Sequence, residues 1–174
     1  MEGNEKRETF FLVDGTALAY RSYFAFINNP LINSKGVDTS SVYGVTNTLL
    51  TMISEEEPDY ICCAFDTSGP TFRHELYREY KAHREKMPDE LKDQLPLIRE
   101  VVDALNIPII EKEGYEADDV IGTLAVQAEQ QGLDVYLVPS DKDFMRLVSS
   151  RVKRYKSGRG RNSGNIEIID PAAV

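Results

Sequence analysis

Four short apolar runs, at residues 10–13, 60–65, 107–110 and 135–138, punctuate the chain, and three of them are followed within three residues by an acid: Asp14, Asp66 and Asp141. Apolar runs of this length bounded by turn residues read as buried strands. The segments between them carry apolar residues at helical spacing. Residues 16–26 place Leu18, Tyr20, Tyr23 and Phe24 this way, and residues 88–105 do the same with Leu91, Leu95, Ile98, Val101, Val102 and Leu105. Further helices are predicted over 42–54, capped by Thr39-Ser40-Ser41, and over 118–131, ended by Gly132. Strands alternating with helices imply an α/β layered fold with a largely parallel sheet and right-handed crossovers. Pro108 puts the third run at a sheet edge or a strand start. Residues 144–148 are predicted to form a short helix, and 152–155 with 166–169 a hairpin around a flexible Gly/Ser/Arg-rich stretch.

In such sheets ligands bind at the carboxyl ends of the strands. Asp14, Asp66 and Asp141 are therefore expected to converge on one sheet edge. Glu116, Asp118 and Asp119, packed into four residues at a helix start, and Asp143 would join them. Complementing a helix dipole or capping a first turn is the alternative reading for Asp118, Asp119 and Asp143. Asp14 and Asp66, each perched on an apolar strand, have no such explanation. Gathered carboxylates raise one another's pKa unless a cation sits between them. Neither a cysteine nor a histidine accompanies these acids, so all-oxygen ligation of Mg²⁺ or Mn²⁺ is expected rather than zinc. Two such ions about 3.5–4 Å apart can generate hydroxide and stabilise a leaving oxygen in phosphodiester cleavage.

The net charge of −9 argues against a nucleic-acid partner until its distribution is considered. Residues 71–86 and 151–161 hold 11 of the 20 Lys/Arg and only 3 of the 29 Asp/Glu. Segregated basic stretches can bind phosphate locally, although solvated surface charge is by itself the more common explanation for either one. Residues 67–88 have no clean apolar period and interleave bases with aromatics, a pattern suited to holding phosphates and stacking on single-stranded bases. The adjacent Cys62 and Cys63 should point to opposite faces of a strand and stay unpaired, which fits a reducing cytoplasm. Residues 1–9 are polar and charged, not a signal peptide, and are expected to be a disordered tail. No apolar run approaches a membrane span of about 20 residues.

Several local motifs together resemble a known family. Val13-Asp14-Gly15 with Ala19-Tyr20-Arg21, Phe65-Asp66, Phe72-Arg73-His74-Glu75, Tyr80-Lys81-Ala82, Gly114-Tyr115-Glu116-Ala117-Asp118-Asp119 and Asp141-Lys142-Asp143 look like the 5′ nuclease domain of bacterial DNA polymerase I, in the flap-endonuclease group. The resemblance covers nearly all of residues 10–170. It implies a PIN-like three-layer fold with a helical arch inserted at about 67–88. It also implies a metal-dependent, structure-specific 5′ nuclease acting on 5′ flaps and RNA primers in replication and repair. By matching motif, Asp14, Asp66, Glu116, Asp118, Asp119, Asp141 and Asp143 would ligate or surround Mg²⁺ or Mn²⁺. Arg21, Arg73, Lys81 and Arg84 would meet substrate phosphates. Tyr77 would stack or pack, and Lys142 would neutralise phosphate or stand in solvent. The family continues with a helix-turn-helix-type element carrying a Gly-Asp-x-Ser-Asp-Asn run, which is absent from these 174 residues. The expectation is a chain truncated at 174, monomeric, weak or inactive alone, and continuing into polymerase domains. A PIN-type ribonuclease and a non-catalytic nucleic-acid-binding module are the alternative classes; the arch-like segment argues against the first and the converging acids against the second.

Overall fold

The computed structural model describes residues 7–83, 85–138 and 147–155. The chain runs β1 (Thr9–Asp14), α1 (Gly15–Phe26), α2 (Ser40–Glu56), β2 (Tyr60–Ala64), α3 (Phe72–Leu76), α4 (Asp89–Ala104), β3 (Ile109–Ile110), α5 (Ala117–Gln130), β4 (Asp134–Val138) and β5 (Val152–Arg154). The strands form one sheet in the order β3-β2-β1-β4-β5, and each of its pairings is parallel. Strand order reverses direction between β1 and β4, which is where α/β sheets open a crevice for ligands. None of the helices described is long and apolar enough to cross a membrane.

Alternation along the strands divides the core into two layers, because successive side chains point to opposite faces. Phe11, Val13 and Cys63 pack with Leu18 of α1, Leu49 and Met52 of α2 and Ile98 of α4. Leu12, Cys62 and Leu137 pack instead with Ile121 and Ala125 of α5. The result is helix, sheet, helix: the three-layer arrangement expected from the sequence. Cys62 and Cys63 fall on opposite sides and remain free thiols, and burial alone pushes Cys62 up to about 12. The Pro108 carbonyl accepts from the amide of Cys63 just ahead of the edge strand β3. Gly132 follows α5 at φ +89°, a left-handed conformation open to glycine.

Local signals fall short in two places, and one expectation lies partly outside the described residues. Residues 1–9 are not all tail: Thr9 opens β1, and the Glu8 carbonyl accepts from the Asp134 amide at 3.0 Å. Pairing with β4 supplies the order that composition there does not signal. Residues 152–154 form the expected strand, parallel to β4 and outermost among the described residues, while the hairpin partner expected at 166–169 lies outside the described residues, as does most of the short helix expected at 144–148. The second place is the start of α2. Thr39 occupies the cap position, but its hydroxyl donates to the Leu31 carbonyl and makes no cap bond. Asp38 Oδ1 accepts from the Ser40 amide at 2.8 Å, and the next acceptor comes from 53 residues beyond Ser41: Gln94 Oε1 accepts from the Ser41 amide at 2.9 Å and the Val42 amide at 3.3 Å, while its Nε2 donates to the Glu90 carbonyl at 3.0 Å.

Gln94 is 1% exposed, so a substitution there leaves a buried amide without its partner. Gln94→Leu is expected to cost about 1–3 kcal/mol, read as a drop of roughly 2–4 °C in Tm per kcal/mol by calorimetry. An unchanged Tm would mean that the α2 terminus is satisfied in another way.

Candidate functional site

The site assembles where β1, β2 and α5 meet. Asp14 closes β1, and its Oδ1 accepts the Ala17 amide at 2.8 Å, so it caps α1. It is only 6% exposed. Burial raises its carboxyl from the ordinary 3.8 to about 7, against the opposing Ala17 hydrogen bond, and the charges of Asp118 and Asp66 add to the rise. Asp66, two residues past β2, ties three elements together. Its Oδ1 accepts the Ala117 amide at 2.8 Å at the start of α5, and its own amide donates to Thr16 Oγ1 at 3.1 Å. Asp14, Asp66, Glu116 and Asp118 thus line one cleft of about 360 Å³, with Lys81 and Tyr20 at its walls.

The segment after β2 lies across the start of α5. Thr71 precedes α3, and its amide donates to His74 Nδ1 at 3.1 Å, while the Phe72 amide donates to the Gly114 carbonyl at 2.9 Å. Arg73 forks onto Asp119, with Nη1 at 2.6 Å from Oδ2 and Nη2 at 2.7 Å from Oδ1. Its guanidinium also stacks over the Phe72 ring at 4.6 Å. The same Arg73 hydrogen bond holds the Asp119 carboxyl below the usual range. Glu116 gathers the rest of the segment: Lys81 Nζ donates to it at 2.7 Å and the Tyr80 hydroxyl at 3.1 Å. Lys81 sits at φ +55°, in the left-handed region that non-glycine residues seldom adopt and that clusters at functional sites.

The expected residues therefore divide. Asp14, Asp66, Glu116, Asp118 and Lys81 share the cleft. Asp119 turns away from it, to Arg73 and to its own helix start, where it accepts the Glu116 amide at 3.0 Å. Arg21 is exposed on α1 and is not among the residues lining the cleft. Tyr77 is 60% exposed with its hydroxyl on Glu79, so of the two roles expected for it, packing is not realised. Arg84, Asp141, Lys142 and Asp143 lie outside the described residues. Tyr80 and Thr16 were not among the residues singled out. Tyr80 stood beside Lys81 in the motif, but its hydroxyl's reach to Glu116 depends on folding over 36 residues.

Among the described residues, no three His, Cys, Asp or Glu side chains stand close enough to grip one ion as they lie. The donor set nevertheless fits a hard cation. It consists of carboxylates alone, and Asp14 is held in a place that penalises its negative charge and sets it beside two others. A divalent ion is the counter-charge such a group lacks.

Comparison with known proteins gives the family and the fold. The model of the 5′-3′ exonuclease N-terminal resolvase-like domain matches residues 9–174. The chain is 46% identical over 169 residues to DNA polymerase I of Bacillus caldotenax, covering 97% of the chain but 19% of that protein. It is 42% identical over 145 residues to a 5′-3′ exonuclease of Aquifex aeolicus, covering 83% of the chain and 50% of that protein. It thus spans about a fifth of the polymerase and half of the exonuclease. Among solved structures, the phage T5 5′-exonuclease with bound zinc superposes with a TM-score of 0.64 at 21% identity, over 85% of this chain and 55% of the other. The phage T5 flap endonuclease with DNA and metal ions gives 0.62 at 22%, over 85% and 54%. At that identity the likeness bears on the fold, which agrees with the three-layer parallel sheet. By sequence, the chain belongs to the family of 5′-3′ exonuclease N-terminal resolvase-like domains.

Proposed function

We propose that this chain carries catalytic carboxylates of a structure-specific 5′-3′ nuclease, one that hydrolyses phosphodiester bonds of DNA at 5′ flaps and RNA primers in replication and repair. The observation that carries the reading is the cleft at the carboxyl ends of a parallel sheet, lined by Asp14, Asp66, Glu116 and Asp118 with Lys81 at its wall. Mg²⁺ or Mn²⁺ would be held by these four acids. Asp141 and Asp143, following β4 in sequence, would contribute to a second position. When bound, such ions supply a hydroxide at neutral pH and neutralise charge on the leaving oxygen.

The chain's own groups do the rest. Lys81 brings a cation to the cleft wall, where a scissile phosphate would lie against the acids. Tyr20 offers a ring at the same wall. Arg21, Arg84 and Lys142 would meet the phosphate backbone, and the exposed Tyr77 would stack on a base of the single strand. The relatives named DNA polymerase I support a covalent continuation into polymerase domains in the whole protein, acting in the bacterial cytoplasm.

The test is cleavage of a 5′-flap DNA with Mg²⁺ or Mn²⁺ by the whole protein that carries this chain and by its Asp118→Ala variant. Loss of roughly 10²–10³-fold or more in rate is expected for the variant. Equal cleavage by both proteins, or preference for plain single-stranded RNA over the flap, would refute the reading.

A further inference from the structure

Asp119 stands beside Asp118 in sequence, and the two also border a neighbouring pocket together, but the Asp119 carboxylate is committed to Arg73. A helical step of about 100° separates neighbouring side chains, so two adjacent acids cannot face one cleft equally. The cleft is lined by Asp118 and not by Asp119. Both Asp119 oxygens are used by Arg73, at 2.6 and 2.7 Å, and one of them also accepts the Glu116 amide at 3.0 Å. A forked, charge-assisted pair of this kind fixes orientation as well as distance. It also spans 46 residues of sequence.

From this geometry we infer that Asp119 is a positioning residue and not a metal ligand: it clamps the start of the arch segment, through Arg73, onto α5. The inference rests on the cation cleft proposed above. The clamp has a second point, since Lys81 and Tyr80 both bond to Glu116. Together the two points pin residues 72–81 at both ends over α5. Between them the segment has little packing of its own: α3 buries none of its residues and Leu76 is 81% exposed. With the Arg73 end released, few contacts remain to hold Lys81 in its left-handed conformation at the cleft wall. Arginine suits this place because its planar fork matches both carboxylate oxygens, which a lysine ammonium cannot do.

Hydrogen–deuterium exchange of residues 72–82 in the metal-free chain, together with Mn²⁺ titration calorimetry, tests the inference. Asp119→Asn and Arg73→Gln should each speed exchange in that segment by about tenfold or more, and the double variant no further than either alone. Arg73→Gln leaves the helix cap intact, so it reads the clamp even if Asp119→Asn folds poorly. Arg73→Lys should recover part of the protection, which loss of packing alone would not predict. Asp119→Asn should keep Mn²⁺ affinity within about tenfold of wild type, whereas Asp118→Asn should lose more than about a hundredfold and leave the exchange of residues 72–82 unchanged. Unaltered exchange in Arg73→Gln, or loss of Mn²⁺ in Asp119→Asn as deep as in Asp118→Asn, would overturn the assignment. A wild-type chain that binds no Mn²⁺ would defeat the cleft reading instead, with the exchange arm still deciding the clamp.

Discussion

Asp14→Asn is expected to make the metal-free chain more stable at pH 8 while weakening its hold on divalent ions. Asp14 is buried at the end of β1, and its carboxyl titrates near 7 instead of the ordinary 3.8, first because of burial and then because Asp118 and Asp66 repel its charge. The folded chain therefore binds a proton at this site more tightly than the unfolded chain does. Below about pH 4 the group is protonated in both states and costs nothing. As pH rises from there through 7, the folded state loses stability from this group, and above 7 the loss is complete. At pH 8 the penalty is about 2–4 kcal/mol, or roughly 5–15 °C in Tm for a chain of this size. Asparagine keeps an oxygen for the Ala17 amide and removes the charge. In the presence of a chelator, the variant's melting curve should coincide with wild type near pH 4 and lie above it at pH 8. Mg²⁺ should raise the wild-type Tm and leave the variant's almost unmoved. A variant less stable than wild type at pH 8 without metal would contradict the burial argument.

The second large effect is steric and sits one residue on. Gly15 is buried at the start of α1, and a Cβ there would come 2.4 Å from Phe65 Cζ and 2.8 Å from Cys63 Sγ. Neither neighbour is the free end of a flexible chain: Phe65 is 2% exposed and Cys63 is wholly buried. Gly15→Ala should therefore cost about 1–3 kcal/mol through overpacking, in spite of alanine's better helix propensity. The displaced Phe65 directly precedes Asp66, so the α1–β2–α5 junction at the cleft should loosen as well. Gly15→Ala/Phe65→Leu should recover part of the loss, giving a non-additive pair in chemical denaturation. Additive losses would show that the alanine methyl meets something other than the Phe65 ring.

The strand–helix alternation made the layered sheet legible, because the apolar runs and their helical partners are each locally encoded. Pro108 gave the edge position of β3, and the adjacent Cys62 and Cys63 gave the two-sided burial of β2. Asp14 and Asp66 were legible for a related reason: a carboxylate at the end of a buried strand has few other uses. What stayed hidden was long-range. Gln94 serving the start of α2 and Asp119 serving Arg73 are contacts across 53 and 46 residues, and no local pattern announces them. The acids at Glu116, Asp118 and Asp119 read alike in sequence. Only the fold separates Glu116 and Asp118, which line the cleft, from Asp119, which takes Arg73.

Mn²⁺ binding followed by electron paramagnetic resonance tests the central claim most directly, since protein-bound ion loses the sharp signal of the free ion. The wild-type chain is expected to bind Mn²⁺, and Asp14→Asn, Asp66→Asn and Asp118→Asn are each expected to weaken binding by about tenfold or more. Binding that is absent in the wild type, or equally strong in all four proteins, would contradict a cation cleft at the ends of β1 and β2.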